Sequence, residues 1–334
     1  MSKAPKSKAA ESKATQPISV ERNLTLEAVR VTEAAAIAAA KLVGLGDEMA
    51  VDQAAVDAMR RALNALDIAG TIVIGEGERD EAPMLFIGET VGSGKGPAVD
   101  IALDPLEGTS IAAKGDNNAM SVMAFANAGC FLHAPDIYME KIAVGGGLPD
   151  GVVDLDRSPA ENLAALAAAK GVMVSDLTVC ILDRPRHMEL IQTVRATGAR
   201  ITLISDGDIA GVIATTDPDT GIDIYMGSGG APEGVLAAAA LRCIGGQMQG
   251  RLMFRNEDER ARARRLNIDK LDRKYNLDDL AKGDVIFVAT GVTDGSMLRG
   301  VKRVAGGVKV NSIVMRSQTG TIRHIDAVIR NPAT

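Results

Sequence analysis

The segment Asp104-Pro105-Leu106-Glu107-Gly108-Thr109 places two carboxylates three residues apart, across a turn restricted by proline. Such a pair can point at one cation, and hard divalent ions such as Mg²⁺ or Mn²⁺ prefer carboxylate oxygens. Gly108 allows the backbone to approach a ligand closely, and Thr109 lies where free N–H groups could face a phosphate. By themselves, these residues are equally compatible with an acidic surface turn capped by threonine.

A second acidic cluster, residues 75–81, follows a short β-branched run and contains Glu76, Glu78, Asp80 and Glu81. A run of charges is usually a solvated loop. However, strands of an α/β sheet tend to end at the edge that carries the active site, so both acidic segments could line one crevice.

A third segment, residues 227–234, is rich in glycine and joins a predicted strand to a predicted helix. Its glycines could surround a phosphate at the start of the helix, and Glu233 lies in the first turn, where it could bind a metal. The alternative is a flexible turn followed by a glutamate that the helix dipole favours.

The elements that position these segments follow from hydrophobic periodicity. Apolar residues recur in steps of four and three from Leu24 to Leu42, which is typical of an amphipathic helix. Ser158-Pro159-Ala160-Glu161 is a capping box that begins another helix. Further helices are predicted at 52–66, 187–196, from 208, and at 232–244. Strands are predicted at 71–74, 99–103, 121–126, 177–182, 201–205, 223–226, 285–288, 308–314 and 321–328.

This alternation of helices and strands predicts an α/β fold. Residues 1–20 are rich in Lys, Ala and Ser and are expected to form a flexible tail without a signal sequence. No linker interrupts 21–330, so two closely packed subdomains are expected. Residues 21–195 would form a metal-binding subdomain, and residues 196–334 would supply further substrate and metal residues.

Composition excludes several functions. The net charge of −6 and an aromatic content of 2% argue against nucleic-acid binding. No apolar run approaches the length needed to cross a bilayer. Three widely spaced cysteines are expected to be reduced thiols in a cytoplasmic protein. The three histidines show no ligand spacing, so packing or surface roles are expected for them.

Taken together, the motifs resemble those of the class II fructose-1,6-bisphosphatases, within the lithium-sensitive sugar and inositol phosphatase superfamily. The segment Asp104–Thr109 is shared across the superfamily. The class II resemblance covers about residues 21–330 and rests on more segments, namely Val31–Glu33, Ile74–Glu78, Asp80–Met84, Tyr138–Lys141, Arg184–His187, Ser205–Asp208, Gly229–Glu233 and Ala289–Thr293.

The resemblance implies a sugar-phosphatase fold, which is a layered α-β-α-β-α sandwich, and hydrolysis of the 1-phosphate of fructose 1,6-bisphosphate with Mn²⁺ or Mg²⁺. Matching positions imply Asp52 and Glu76 on one metal, and Asp104, Glu107 and Glu233 on another. Two metals would neutralise charge on the transferred phosphoryl group. Asp80 and Thr109 are then the expected pair that orients and deprotonates water, and Glu76 is counted with them as catalytic.

The resemblance also assigns the residues that bind the substrate. The reacting phosphate would lie against Glu107, Gly108, Thr109 and Gly230. The sugar and the distal phosphate would contact Tyr138, Arg184, Pro185, Arg186, Asp206, Gly207 and Asp208. From chemistry alone, Arg186 could equally form a salt bridge, and Asp206 and Asp208 could simply cap a helix.

The chain departs from the family pattern at two positions. Glu48 stands where a lysine is usual, and Gln53 stands where a glycine usually follows the first metal-binding aspartate. The change at position 48 replaces a positive charge with a negative one. It is expected to alter metal affinity or turnover without abolishing function.

Three alternatives stay open at this point. Sedoheptulose 1,7-bisphosphate shares its phosphorylated end with the fructose substrate, so the sequence does not separate the two. An inositol monophosphatase or nucleotide bisphosphate phosphatase is a second possibility, and a non-catalytic metabolite-binding regulator is a third. The expected partner is a small sugar bisphosphate, without nucleic acid or membrane, and the resemblance implies a homodimer or homotetramer.

Overall fold

The computed structural model describes residues 24–77 and 84–330, so the predicted tail at residues 1–20 lies outside the described part. The helices are α1 (Leu24–Ala40), α2 (Glu48–Asn64), α3 (Thr109–Lys114), α4 (Pro159–Lys170), α5 (Met188–Ala196), α6 (Asp208–Ala214), α7 (Ala231–Ile244), α8 (Glu257–Arg265) and α9 (Leu277–Leu280). The strands are β1 (Ala69–Ile74), β2 (Thr90–Val91), β3 (Ala98–Glu107), β4 (Met120–Asn127), β5 (Tyr138–Val144), β6 (Thr178–Leu182), β7 (Arg200–Ile204), β8 (Ile224–Gly230), β9 (Gln247–Met253), β10 (Lys274–Asn276), β11 (Val285–Gly291), β12 (Lys302–Val304), β13 (Gly307–Arg316) and β14 (Thr321–Arg330).

These strands form two mixed sheets. The larger has the order β12-β13-β11-β4-β3-β1-β2, with β14 also paired to β13, and the smaller has the order β10-β9-β5-β8-β6-β7. Strand β1 runs parallel to β3, and β6 runs parallel to both β7 and β8. The predicted α/β class is therefore confirmed.

The central strands of each sheet are buried on both faces. Along β11, Ile286 and Val288 join the apolar cluster that contains α1 and α2, whereas the alternate residues Val285 and Phe287 join the cluster around α7. This alternation follows from the two-residue period of a strand. Helix α7 contacts strands of both sheets. Apolar residues of α4 and α5 pack with those of β5 and β6 in a third cluster.

Helix α2 begins four residues earlier than the sequence predicted. The Asp47 side chain accepts a hydrogen bond from the backbone N of Ala50 at 2.9 Å and so caps the helix. The earlier start places Glu48 in the first turn of the helix and Asp52 one turn further on, where its side chain is half-buried.

Two strands extend further than predicted. Strand β3 does not stop at Asp104 but continues to Glu107, with a register shift against β4 between these two residues. Pro105 lies within this irregularity, where the missing N–H breaks no regular ladder bond. Strand β8 likewise runs to Gly230 and α7 begins at Ala231, so the glycine-rich segment 227–234 is half strand and half helix, without a loop between them.

The expected boundary between residues 195 and 196 falls between β6 and β7, which pair in the same sheet. The subdomain division stays a prediction, and the sheets suggest a different one. Residues 138–276 supply the smaller sheet, while the larger sheet takes its strands from before and after this stretch. No helix in the described ranges has both the length and the hydrophobicity that a bilayer crossing requires.

Candidate active site

An acidic cavity of about 530 Å³ lies where several elements end. Because β1 and β3 are parallel neighbours, their carboxyl ends meet at one edge of the larger sheet. That edge brings Glu76, which follows β1, beside Asp104 and Glu107 of β3.

All five carboxylates predicted as metal ligands line this cavity. Asp52 comes from α2 and Glu233 from the first turn of α7, and they join the three acids at the sheet edge. Glu107 Oε1 accepts a hydrogen bond from the backbone N of Ile209 at 3.1 Å, which ties β3 to the start of α6. The structure thus brings the predicted ligands together, whereas their roles stay predictions.

Burial and mutual repulsion raise the pKa values of these acids. Burial, with the charges of Asp52, Asp136 and Glu233, raises the pKa of Glu76 to about 8. Burial and the nearby Asp208 raise the pKa of Glu233 to about 7. Several carboxylates that disfavour each other's ionised form are costly to keep in one place unless cations compensate them.

The same causes act on the two acids of β3. Burial and neighbouring carboxylates hold the pKa values of Asp104 and Glu107 well above the ordinary range. Oε2 of Glu107 and Oε2 of Glu233 are both buried, and neither accepts a hydrogen bond from any residue that the structure describes. Buried anionic oxygens without partners fit an oxygen-preferring divalent cation.

Within residues 24–77 and 84–330, no three acidic, histidine or cysteine side chains already stand in an arrangement that could hold a metal ion. The assignment of Asp52 and Glu76 to one ion, and of Asp104, Glu107 and Glu233 to another, therefore stays a prediction.

Thr109 lies at the cavity wall beside Asp52. Its hydroxyl donates to the carbonyl oxygen of Leu106 at 3.1 Å. Burial raises the pKa of Asp52, and a hydrogen bond with Thr109 opposes that rise. The other member of the predicted water-activating pair, Asp80, lies outside the described residues.

Glycines leave room for the acidic side chains at the end of β8. A Cβ atom at Gly230 would lie 1.9 Å from Glu233 Oε2, and one at Gly229 would lie 2.2 Å from Asp208 Oδ2. Any side chain at either position would have to displace a carboxylate. Gly108 has a φ of 83° as it precedes α3, a left-handed conformation that favours glycine.

Lys141 is the buried cation beside this cluster, with only 1% of its side chain exposed. Its ammonium group forms an ion pair with Asp208 and donates to the carbonyl oxygen of Gly230 at 2.8 Å. It also opposes the rise in the pKa of Glu233. Lys141 therefore links the residues predicted to bind the sugar with those predicted to bind metal.

The residues expected at the distal phosphate form a second group next to the cavity. The Arg186 guanidinium lies 4.8 Å from the centre of the Tyr138 ring and donates to the carbonyl oxygen of Ser228. Arg184 Nη2 lies 3.7 Å from Asp206 Oδ2, and Asp206 lines the cavity. Pro185 opens the short helical turn that carries Arg186, and Gly207 precedes α6 with a φ of 84°.

The sequence analysis did not assign Asp136 or Lys141 to the site. Asp136 lines the cavity in an irregular segment that carries no motif. Lys141 follows the partly exposed Glu140 in β5, so the local sequence does not mark it as a buried residue. Glu48, one of the two departures, also lines the cavity, whereas Gln53 is exposed and donates to Asp57.

Fold and site together define a mixed α/β protein with an open cavity lined by buried carboxylates. A family model described as "Bacterial fructose-1,6-bisphosphatase, glpX-encoded" matches residues 22–329, and the chain belongs to this family. It is 46% identical to fructose-1,6-bisphosphatase 1 class 2 of Escherichia coli K12 over 323 residues, covering 92% of this chain and 96% of the relative. The class 2 enzyme of Shigella flexneri matches to the same extent. The resemblance to this phosphatase family is confirmed.

Proposed function

We propose that this protein hydrolyses the 1-phosphate of fructose 1,6-bisphosphate to give fructose 6-phosphate and inorganic phosphate. The observation that carries the proposal is the convergence of five acids from four separate segments on one cavity, with Arg184 beside Asp206 of the cavity wall as a cation for a second phosphate. Membership of the bisphosphatase family supports the choice of substrate.

Mn²⁺ or Mg²⁺ is the proposed cofactor. Asp52 and Glu76 would hold one ion, and Asp104, Glu107 and Glu233 a second. Bound there, divalent ions would neutralise charge on the phosphoryl group and acidify a water molecule. The buried, unpartnered oxygens of Glu107 and Glu233 support this assignment, because a cation would compensate them.

The protein's own groups would then orient the reactants. The backbone at Gly108 and Gly230 would contact the reacting phosphate, because Gly108 lines the cavity and Gly230 lies against the Glu233 carboxylate. The Thr109 hydroxyl, which contacts Leu106 and Asp52, would orient the attacking water, and Asp80 is proposed to accept its proton. Glu76, whose pKa is raised in part by the charge of Asp52, is proposed to assist them.

At the distal end, Arg184 and Arg186 would bind the second phosphate, while Tyr138, Asp206 and Asp208 would contact the sugar. Sedoheptulose 1,7-bisphosphate carries the same reacting end and is proposed as a second substrate. We further propose that the layers of helix and sheet form the α-β-α-β-α sandwich of the sugar phosphatases. A cytoplasmic homodimer or homotetramer is the proposed assembly.

The test is phosphate release from purified protein supplied with Mn²⁺ or Mg²⁺. Fructose 1,6-bisphosphate should release one equivalent of phosphate and leave fructose 6-phosphate, while fructose 6-phosphate itself should release none. Chelator should stop the reaction, and added metal should restore it. Faster release from inositol monophosphate than from the bisphosphate would contradict the proposal, as would no release at all.

The substitution Glu48→Lys is expected to keep the enzyme active and to lower its KM for the bisphosphate by a factor of about 3 to 10, because it replaces a repelling charge at the cavity with an attracting one. Glu48→Gln removes the negative charge without adding a positive one, so it should lower the logarithm of KM by about half as much. Steady-state kinetics at low and high salt would check both variants, since salt should weaken the effect. Unchanged kinetics and metal dependence in the lysine variant would show that position 48 is peripheral.

A further inference from the structure

His187 is a buried histidine that the proposed chemistry leaves unused. Its side chain is 3% exposed. Nδ1 lies 2.8 Å from the carbonyl oxygen of Leu182, and Nε2 accepts a hydrogen bond from the backbone N of Ser228 at 2.8 Å. Nε2 also lies 3.1 Å from the Ser228 hydroxyl. The imidazole thus joins the end of β6 to the end of β8.

These partners specify one tautomer. A carbonyl oxygen can only accept, so Nδ1 must carry the proton, and the N–H of Ser228 can only donate, so Nε2 must be unprotonated. Burial and the positive charges of Arg186 and Arg184 lower the pKa of His187, which favours this neutral form. The ring therefore acts as a fixed donor on one side and a fixed acceptor on the other.

Ser228 in turn fixes the guanidinium of Arg186. The Ser228 carbonyl oxygen accepts from Nη2 at 2.7 Å and from Nε at 3.1 Å, and its hydroxyl accepts from Nε at 3.2 Å. The Tyr138 ring covers one face of the same group. Nη1 donates to none of the residues that the structure describes, so it remains available to an anion.

The backbone next to Ser228 is shaped to admit the histidine. Gly227 has a φ of 148°, and a Cβ atom there would lie 3.2 Å from the imidazole. A residue with a side chain would be strained at this φ and would crowd the ring. The imidazole therefore packs directly on the backbone beside Ser228.

We infer that His187 is a positioning residue for anion recognition, holding Ser228 so that Arg186 presents Nη1 to the phosphate of the substrate that does not react. This inference rests on the proposed function, because it assumes a substrate with two phosphates. It assigns His187 a role beyond packing, although the ring touches no part of the substrate.

Two substitutions separate the contacts of the ring. In His187→Asn the amide nitrogen can replace Nδ1 as donor to Leu182, but the side chain is too short to reach Ser228. In His187→Gln the amide oxygen can replace Nε2 as acceptor from Ser228. We expect the asparagine variant to bind fructose 6-phosphate about 10-fold more weakly and to raise the KM for the bisphosphate equally. Its kcat should stay within about 2-fold of that of the unmodified protein, because the lost contact stabilises the bound substrate and the transition state equally. The glutamine variant should recover most of the affinity.

Calorimetric binding of fructose 6-phosphate and of inorganic phosphate supplies the specific readout. A positioning role predicts that the asparagine variant binds fructose 6-phosphate more weakly. The affinity for inorganic phosphate at the reacting site should stay unchanged, in calorimetry and as a competitive inhibitor. Equal losses for both ligands, equal behaviour of the two variants, or no loss in the asparagine variant would overturn the inference. His324→Asn, at an exposed position on β14, is the matched control and should change nothing.

Two further measurements guard against an unfolded variant. Imidazole ¹⁵N chemical shifts of the unmodified protein must show Nδ1 protonated and Nε2 unprotonated, and the opposite tautomer would overturn the inference. Ser228→Ala, which removes only the hydroxyl, should weaken fructose 6-phosphate binding by about 3-fold. If the affinity for fructose 6-phosphate depends on His187 but the protein hydrolyses no bisphosphate, the proposed function fails alone. If the protein hydrolyses the bisphosphate but substitution of His187 changes neither the KM nor the affinity for fructose 6-phosphate, the inference fails alone.

Discussion

Replacing Glu233 with glutamine is expected to lower kcat for phosphate release by at least about 100-fold, because the variant loses a charge that would bind metal at the reacting phosphate. The same substitution should raise the free energy of unfolding of the metal-free protein by on the order of 1 kcal/mol, because it removes one member of a mutually repelling group. Kinetics with saturating Mn²⁺ and denaturant unfolding in chelator would measure the two effects.

A control and a second variant sharpen this test. Glu257→Gln changes an exposed glutamate on α8. It should leave kcat unchanged and alter the free energy of unfolding by no more than about 0.5 kcal/mol. Asp104→Asn should resemble Glu233→Gln, and the double variant should lose little further activity, because residues that act as one unit give strongly non-additive effects. A Glu233→Gln variant with full turnover would show that this carboxylate holds no essential metal.

Replacing Lys141 with methionine is expected to destabilise the protein by about 3 to 5 kcal/mol, because it leaves the Asp208 charge buried and uncompensated. The carbonyl oxygen of Gly230 would lose its donor as well. Denaturant unfolding would measure the change. Lys170→Met is the matched control, because its ion pair with Asp223 is more exposed, and it should cost no more than about 1 kcal/mol.

The double variant Lys141→Met with Asp208→Asn separates charge from packing. Removing both charges should recover at least about 2 kcal/mol relative to the sum of the single effects, because the two side chains interact directly. Activity should not return, since Asp208 is proposed to contact the sugar. Additive losses in stability would mean that the ion pair does not account for the effect of Lys141.

Four of the five predicted ligands lie in local sequence signals, whereas Asp52 was assigned only by the family resemblance. Asp104 and Glu107 flank a proline turn, Glu76 follows a buried strand, and Glu233 begins a glycine-flanked helix. The parallel pairing of β1 and β3 then brings the ends of two of these segments together, as expected of a sheet edge. These local patterns marked the four residues as candidates, but their assignment to two metal ions came from the resemblance, and the patterns do not encode the identity of the ions.

Lys141 and His187 were not predictable in the same way, because their partners are distant in the chain. Lys141 pairs with Asp208, 67 residues away, and His187 accepts from Ser228, 41 residues away. Strand β5 itself was missed, since a lysine at an inward-facing position interrupts the apolar alternation that marks a strand. Only the register of β5 against β8 shows that this lysine points into an acidic site.

Pro105 misled the sequence analysis for a related reason. Proline normally ends a strand because it lacks an N–H, yet here β3 continues through it to Glu107. The register shift against β4 absorbs the missing donor and turns both carboxylates toward the cavity. Such an irregularity depends on the neighbouring strand, so local propensity could not place it.

The most direct test of the account is anomalous scattering from crystals of this protein equilibrated with Mn²⁺. Two manganese peaks are expected inside the acidic cavity, one bound by Asp52 and Glu76 and the other by Asp104, Glu107 and Glu233. Manganese bound only outside this cavity, in a protein that still hydrolyses fructose 1,6-bisphosphate in a manganese-dependent manner, would contradict it.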